Sequence, residues 1–250
     1  YYGNFMGELA EHQGHQGPLM AEAAGVRAPA TRFETACASS GAAVRHAVQT
    51  LRNGEADVLL VGGAERMTNL GTGGATEALA IAADDLFEVR AGVTFPGAYA
   101  LMANAYFEAY GGDRTDLAHV AVKNHEHALE NEKAQYQQRI EVEDVLEAPM
   151  VSAPLGLYDS CPISDGASAL VLVSDEYAEA NEFDAPIAIS GTGQGGDALA
   201  LQDRDYLARS PAADEAASEA YDDAGIEPEA VDVAEVHDCF TIAEVLALES

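Results

Sequence analysis

In "CASSGAAVRHAVQTLRNG" (37–54) apolar or small residues recur at 37, 41, 44, 47, 48 and 51, the spacing of one helical face. Arg52, Asn53 and Gly54 supply its stop signal. The run "ADVLLVGG" (56–63), apolar from Val58 to Val61, predicts a buried strand ending in glycines. "FPGAYALMANAYFEAYGG" (95–112) and "DLAHVAVKNHEHALEN" (116–131) read as two further helices, and "GASALVLVS" (166–174) as a second buried strand. A polar stretch, "SDEYAEANEFDAP" (174–186), then separates a second pattern. There "PIAISGTG" (186–193) reads as a strand running into a glycine turn. In "SPAADEAASEAYDDAGI" (210–226) Ser210 caps a helix that has Pro211 at its first position and Gly225 at its end. "VDVAEVHDCF" (231–240) reads as a strand, and "TIAEVLALES" opens a last helix.

Strands alternating with helices predict an α/β fold with sheets covered on both faces. A second α/β unit begins near residue 180, so the chain divides into 1–180 and 181–250, with no sequence repeat between the two. The chain opens at "YYGNFMG" and stops at "ALES", just after a helical pattern begins, which predicts a piece of a longer protein.

A length of 250 residues suits one large domain or two modest ones, and 48% hydrophobic residues exclude disorder by composition. No apolar run approaches the length of a membrane span and no signal peptide opens the chain, so a soluble, intracellular, cytoplasmic protein is expected. Charge changes the picture more. Asp and Glu number 43 against 12 Lys and Arg, a net charge of −31. The excess runs through every segment, as a surface kept hydrated in concentrated salt would require, where screening removes the self-repulsion. It disfavours a nucleic-acid partner.

Cys37, Cys161 and Cys239 are far apart and form no CxxC pair, which argues for free thiols and against zinc or a disulfide framework. The pairs His12/His15 and His125/His127 lack a nearby cysteine or third ligand, so no metal site is expected. Cys37, in "ETACASSGAA", falls at a predicted helix start, where free N–H groups and the helix dipole lower a thiol's pKa. The small residues around it would let a substrate or another backbone approach. Two readings stay open: a nucleophile, or a small buried hydrophobe at a tight helix contact. In "EVHDCF", strand alternation turns His237 and Cys239 to one side and Asp238 to the other. An imidazole and a thiol at a strand end could polarise an acyl oxygen and shuttle a proton. A core histidine beside a packed cysteine is the competing reading.

In their order and spacing these stretches resemble the thiolase superfamily, and within it the SCP-2/SCPx-type and archaeal acetyl-CoA acetyltransferase branch. The resemblance rests on "ETACASSGAA", "DVLLVGGAERMTN" (57–69), "GVTFPGAYALMANAYFEAYG" (92–111), "VKNHEHALENEKAQY" (122–136), "PLGLYDSCPISDGASALVLVS" (154–174) and "AEVHDCFTIAEVLALE" (234–249). It implies a layered αβαβα fold of two related α/β halves, the second incomplete here. It implies Cys37 as the residue that takes the acyl group as a thioester, His237 as a stabiliser of the enolate oxygen, and Cys239 as the group that handles the α-proton. The implied reaction is Claisen condensation of two acetyl-CoA to acetoacetyl-CoA, or thiolysis of a 3-ketoacyl-CoA. No metal or redox cofactor is implied, coenzyme A being the substrate's handle.

One departure stands out: the family's C-terminal "GHPxGATG" stretch, with its nucleophile-activating histidine, is not among these residues. Ketoacyl synthases share the fold but would carry a "HGTGT"-like loop where this chain has "HDCFT". A hydroxymethylglutaryl-CoA synthase, or a non-catalytic acyl-CoA or lipid-binding scaffold subunit, are further alternatives. The resemblance also implies a homodimer or homotetramer, and in archaeal relatives a complex with hydroxymethylglutaryl-CoA synthase and a small zinc-ribbon/OB-type protein. A salt-loving host and a mevalonate-pathway or fatty-acid role fit the acidic composition.

Overall fold

The computed structural model describes residues 1–183 and 187–250. The first stretch runs β1 (Tyr2–Gly3), α1 (Gly7–Ala10), α2 (Gln16–Ala23), β2 (Arg32–Phe33), α3 (Ser39–Arg52) and β3 (Val58–Glu65). Next come α4 (Gly71–Ala80), α5 (Phe95–Tyr110), α6 (Arg114–Leu129) and α7 (Val142–Glu147), then β4 (Met150–Ser152) and β5 (Leu155–Gly156). The chain closes with β6 (Gly166–Val173), α8 (Asp175–Ala180), α9 (Pro211–Ala224) and α10 (Thr241–Glu249). These fall into two compact units. One comprises Tyr1–Ala78, Ile163–Gln194 and Ala216–Glu227; the other Leu79–Pro162, Gly195–Glu215 and Pro228–Ser250.

The first unit is built on a four-stranded sheet in the order β2-β1-β3-β6. Strand β1 runs parallel to β2 and β3, whereas β6 is antiparallel to β3, from Val58 opposite Val173 to Glu65 opposite Gly166. Helix α3 lies on one face and buries Ala42, Ala43, Ala47 and Val48. Ala43 and Ala47 meet Val61, with Phe33, Leu59 and Leu172 around them. Small helix residues bring helix and strands close, and the predicted stop holds: Asn53 caps the helix and Gly54 turns left-handed at φ 69°.

Strand β6 forms where the apolar run predicts it but is not buried. Val171 is 68% exposed, because β6 is the edge of the sheet and no described layer covers it. The mixed α/β fold is as expected, with α3 on one face of the sheet. The face turned away from α3 instead lines an open groove of about 390 Å³, edged by Met20, Val26, Leu60 and Ala169.

The expected strand over 186–193 begins on Pro186, which lies outside the described residues; from Ile187 onward it forms no ladder. Its backbone finds other partners. Thr192 N–H donates to Asp223 at 3.0 Å and Gln194 N–H to Glu219 at 2.8 Å, both carboxylates on α9. Gly191 and Gly193 are not a turn: a Cβ on Gly191 would lie 2.7 Å from Ala224 N, and one on Gly193 2.8 Å from the Ala216 carbonyl carbon. Two extended residues advance about 6.6 Å, close to the roughly 6 Å of four helical residues, so alternate glycines keep step with α9.

The second unit is helical at its centre. Thr94 accepts the Gly97 N–H to cap α5, Pro96 fills its first turn and Gly111 ends it at φ 83°. Asp113 and Asp116 form a reciprocal capping box, which starts α6 at Arg114, ahead of the predicted 116. Ala100, Ala103, Leu117, Leu155, Ile242 and Leu246 join with Phe240 in one core, and Ala118, Ala121, Ile140 and Val145 in a second. Each fully buried Leu or Ile contributes about 1.5–3 kcal/mol.

The strand predicted over 231–240 is absent. The segment is extended and mostly exposed, and its one ladder element is an isolated antiparallel bridge between Ser160 and Phe240. A strand needs a neighbouring backbone along its length, and among the described residues only that short piece has one. No helix among the described residues is long and apolar enough to cross a membrane.

Candidate active site

Cys37 sits in the turn between β2 and α3, in the first unit. Ala36 before it adopts φ 48°, the left-handed region that a residue with a Cβ rarely enters. Ser39 holds this turn from inside. It is 4% exposed, accepts the Thr35 N–H at 3.0 Å and donates to the Ala36 carbonyl at 2.6 Å. A second bond runs from the Ala36 N–H to the Glu34 carboxylate at 2.7 Å. Strain confined to the residue before a thiol, and held by a buried hydroxyl, is an arrangement that aims a side chain.

Cys37 is exposed and is not buried in a helix–helix contact. Helix α3 begins two residues later, at Ser39, with Ala38 at its cap, and the atoms around the sulfur outweigh the helix end in setting its pKa. The expected lowering of its pKa is therefore corrected. Protein atoms around the sulfur disfavour the thiolate and push the pKa up, a backbone hydrogen bond opposes this, and the Glu65 carboxylate adds to the rise. Solvent at the open side screens part of that cost.

The small residues after Cys37 answer first to the sheet. A Cβ on Gly3 would lie 2.6 Å from the Ser40 Cα, and one on Gly63 would run into the Ser40 hydroxyl. The start of α3 thus rests directly on strand backbone. Glu65, at the end of β3, gathers the chain beyond β1: it accepts from Asn4 Nδ2 at 2.8 Å, Phe5 N–H at 2.8 Å and Met6 N–H at 3.0 Å. The loop after β3 is fastened by Asp165, which accepts the Met67 N–H at 2.8 Å, the Thr68 N–H at 2.9 Å and the Thr68 hydroxyl at 2.6 Å. The Thr68 hydroxyl and the two backbone N–H groups hold that carboxyl below its usual range.

His237 and Cys239 belong to the second unit. His237 is exposed, while Cys239 is half-buried and packs against the core that holds Phe240. Phe240 stacks on Tyr99 at 4.6 Å between ring centres. Cys161 N–H donates to the Cys239 carbonyl at 3.0 Å. Thr241 donates to Asp159 at 3.0 Å, and Asp159 accepts the Gly156 N–H at 2.7 Å, which fixes the start of α10.

Asp238 turns to α6, where Asn124 Nδ2 reaches both Asp238 Oδ2 at 2.5 Å and Glu244 Oε2 at 2.9 Å. Glu244 is 4% exposed and is paired with Lys123 at 2.6 Å. Desolvation pushes the Asp238 carboxyl up; the Asn124 bond opposes that and the Glu244 charge adds to it. Asn124, Asp238, Tyr158 and Cys161 line a cavity of about 220 Å³ in this unit.

Ser39, Asn124 and Glu244 were not singled out by the sequence, and Cys161 only as a free thiol. Glu244 did carry a signal, being an acid among the apolar positions of "TIAEVLALE". The paired histidines gather no metal-like cluster: among the described residues no group of three or more His, Cys, Asp or Glu could hold an ion. His125 instead bonds the Gln138 carbonyl at 2.9 Å and sets its ring edge-on to Tyr158.

Two family models match the sequence: "Thiolase, N-terminal domain" over residues 1–176 and "Thiolase C-terminal domain-like" over 193–250. An acetyl-CoA acetyltransferase of Methanothermobacter thermautotrophicus is 40% identical over 250 residues, covering all of this chain and 64% of that protein. One of Methanocaldococcus jannaschii is 42% identical over 253 residues, again covering 100% of this chain and 64% of its own length. The chain therefore spans about two thirds of the length of these curated relatives. A solved structure titled "Ltp2-ChsH2(DUF35) aldolase" superposes with a TM-score of 0.74 at 26% identity, covering 92% of this chain and 61% of that one.

Proposed function

The chain belongs to the thiolase family, and from that premise we propose that its protein moves acyl groups between coenzyme A thioesters through a thioester on Cys37. The observation that carries this reading is the exposed Cys37 thiol directly after the left-handed Ala36. The Cys37 thiol gives its proton to a base as it attacks the acyl carbonyl, the bond from that carbon to the coenzyme A sulfur breaks, and coenzyme A leaves as its thiol with that proton. Cys239, as thiolate, then removes an α-proton from a second acyl-CoA, and His237 donates a hydrogen bond to the enolate oxygen. The enolate carbon attacks the Cys37 thioester, the carbon–sulfur bond breaks, and the 3-ketoacyl-CoA departs as the Cys37 thiolate returns. Thiolysis is the same sequence reversed. The raised pKa of Cys37 means that the free thiol must lose its proton as it attacks, so a base has to serve it.

Acetyl-CoA as substrate, with acetoacetyl-CoA as product, follows the names of the archaeal relatives. Coenzyme A enters as part of the substrate, and the mechanism calls on no metal or redox cofactor. Residues 1–180 form an N-terminal thiolase half and 181–250 the beginning of a C-terminal one. The protein works in the cytoplasm, as a homodimer or homotetramer. The acidic surface suits high salt, and a mevalonate-pathway role suits the product. A complex with hydroxymethylglutaryl-CoA synthase and a zinc-ribbon/OB-type protein belongs to the same proposal, supported by a structural neighbour whose title joins two proteins.

Incubating the full-length protein in high salt with acetyl-CoA, followed by mass spectrometry, tests the reading. An acetyl group on Cys37, absent from a Cys37→Ala variant, is the expected result. A folded protein that takes up no acetyl group overturns it.

A further inference from the structure

Helix α6 presents one side chain amide to two carboxylates. Both Nδ2 hydrogens of Asn124 are engaged, one by Asp238 at 2.5 Å and the other by Glu244 at 2.9 Å. Glu244 sits in the buried face of α10, and Lys123, the neighbour of Asn124 on α6, pairs with its other oxygen at 2.6 Å. Asp238 stands between His237 and Cys239 in the chain, on a segment without a strand ladder. Near Cys239 that segment is held by backbone bonding, through Cys161 N–H to the Cys239 carbonyl and the Ser160–Phe240 bridge. At Asp238 its side chain is anchored by the Asn124 amide.

We propose that Asn124 is a positioning residue for α-proton removal, acting through Asp238 to fix the backbone from which His237 and Cys239 project. The inference rests on the acyl-transfer reading above. An amide suits the place because a carboxylate there would face two others, while an aliphatic side chain would leave Asp238 and Glu244 half-buried or buried without their shared donor. Lys123 braces the far side of Glu244, so α6, α10 and the Asp238 segment are tied by one chain of charge-assisted bonds. Nothing in this role requires Asp238 to exchange a proton; it has only to accept a hydrogen bond.

Two half-reactions of the full-length protein separate the possibilities. One is acetylation of Cys37 by acetyl-CoA, read by mass spectrometry. The other is exchange of the acetyl-CoA methyl protons in deuterated water. Asn124→Ala should leave acetylation within about threefold and slow exchange roughly 10- to 100-fold, the scale of a small misplacement of reacting groups. Asp238→Asn keeps an acceptor oxygen for Asn124 and should exchange at nearly the wild-type rate, whereas Asp238→Ala should be as slow as Asn124→Ala. Equal losses in both half-reactions for Asn124→Ala, alongside a lowered melting temperature, would overturn the positioning role. So would an Asp238→Asn variant as slow as Asp238→Ala, since Asp238 would then act by its charge and not as an anchor. A wild-type protein that acetylates no cysteine removes the acyl-transfer reading and this inference with it, and shows itself before any substitution is made.

Discussion

Next to the antiparallel bridge of Ser160 and Phe240, the Cys161 amide donates to the Cys239 carbonyl at 3.0 Å, which sets the two cysteines opposite each other in the register. Directly opposed, hydrogen-bonded residues have Cα atoms about 5.5 Å apart, with side chains on the same side. That spacing lies within the range a disulfide accepts. Mild oxidation with diamide should therefore join Cys161 to Cys239 within one chain, seen as a linked peptide pair in a non-reducing digest. A link from Cys239 to neither or only to another molecule would show that the bridge is out of register.

Ser39 has no exposed surface to speak of and two bonds to the turn that carries Cys37. Ser39→Ala leaves the Thr35 N–H without its acceptor and frees the strained Ala36. The expected loss is about 1–3 kcal/mol of stability, read by denaturant unfolding. Alkylation of Cys37 in the folded variant should change in rate, because the thiol loses its fixed aim.

Cys37 should react slowly at neutral pH. Its pKa is raised by desolvation first and by Glu65 last, so the thiol form persists above the ordinary value. The rate of iodoacetamide modification at Cys37 should climb with pH and reach its midpoint above that of a free cysteine, about 8.5. A midpoint below that value would mean that helix α3 dominates after all.

Asp165 contributes to stability on the acid side, as do other carboxyls held low by hydrogen bonds. Its folded pKa lies below the unfolded value, about 3.9, so its contribution is complete above that value and is lost as pH falls through the folded one. Asp165→Asn should lower the urea midpoint at pH 7, and the gap to wild type should close on acidification. A gap that stays constant with pH would assign the effect to shape and not to charge.

Gly63→Ala places a methyl group against Ser40 and the Gly3 carbonyl. Overpacking of this kind costs about 1–3 kcal/mol, measurable as a lower thermal midpoint. The same change at Gly41, which faces open space, should cost far less and serves as its control.

The long helices were legible where an apolar period ran between caps, whereas the short α7 was not, despite its capping box at Glu141 and Asp144. Thr94 and Gly111 bound one, Asp113 and Asp116 start the next, and Ser210, Pro211 and Gly225 frame α9. Strands were legible as apolar runs but not as layers. Whether "GASALVLV" is interior or edge depends on what lies beside it, which no local period records. The segments 187–193 and 231–239 have strand-like composition, yet the first gives its N–H groups to α9 carboxylates and the second has one bridge at its end. Cys37, His237 and Cys239 could be singled out because cysteines are few and His237 stands two residues from one. Asn124 could not, since its role comes from two carboxylates 114 and 120 positions away. The Cys37 pKa shifts up and not down because desolvation by surrounding atoms outweighs the backbone hydrogen bond, and no local pattern in the sequence records that burial.

The contact of Ser40 with Gly3 and Gly63 turns the sheet into a gauge for the thiol. A helix seated on bare strand backbone has a fixed height, set by atoms that two distant positions lack. Reach at the sulfur can then be altered without touching its neighbourhood: each methyl added at position 3 or 63 acts as a shim beneath α3. Tuning of reactivity in this protein should accordingly be found in the strands as readily as beside the cysteine.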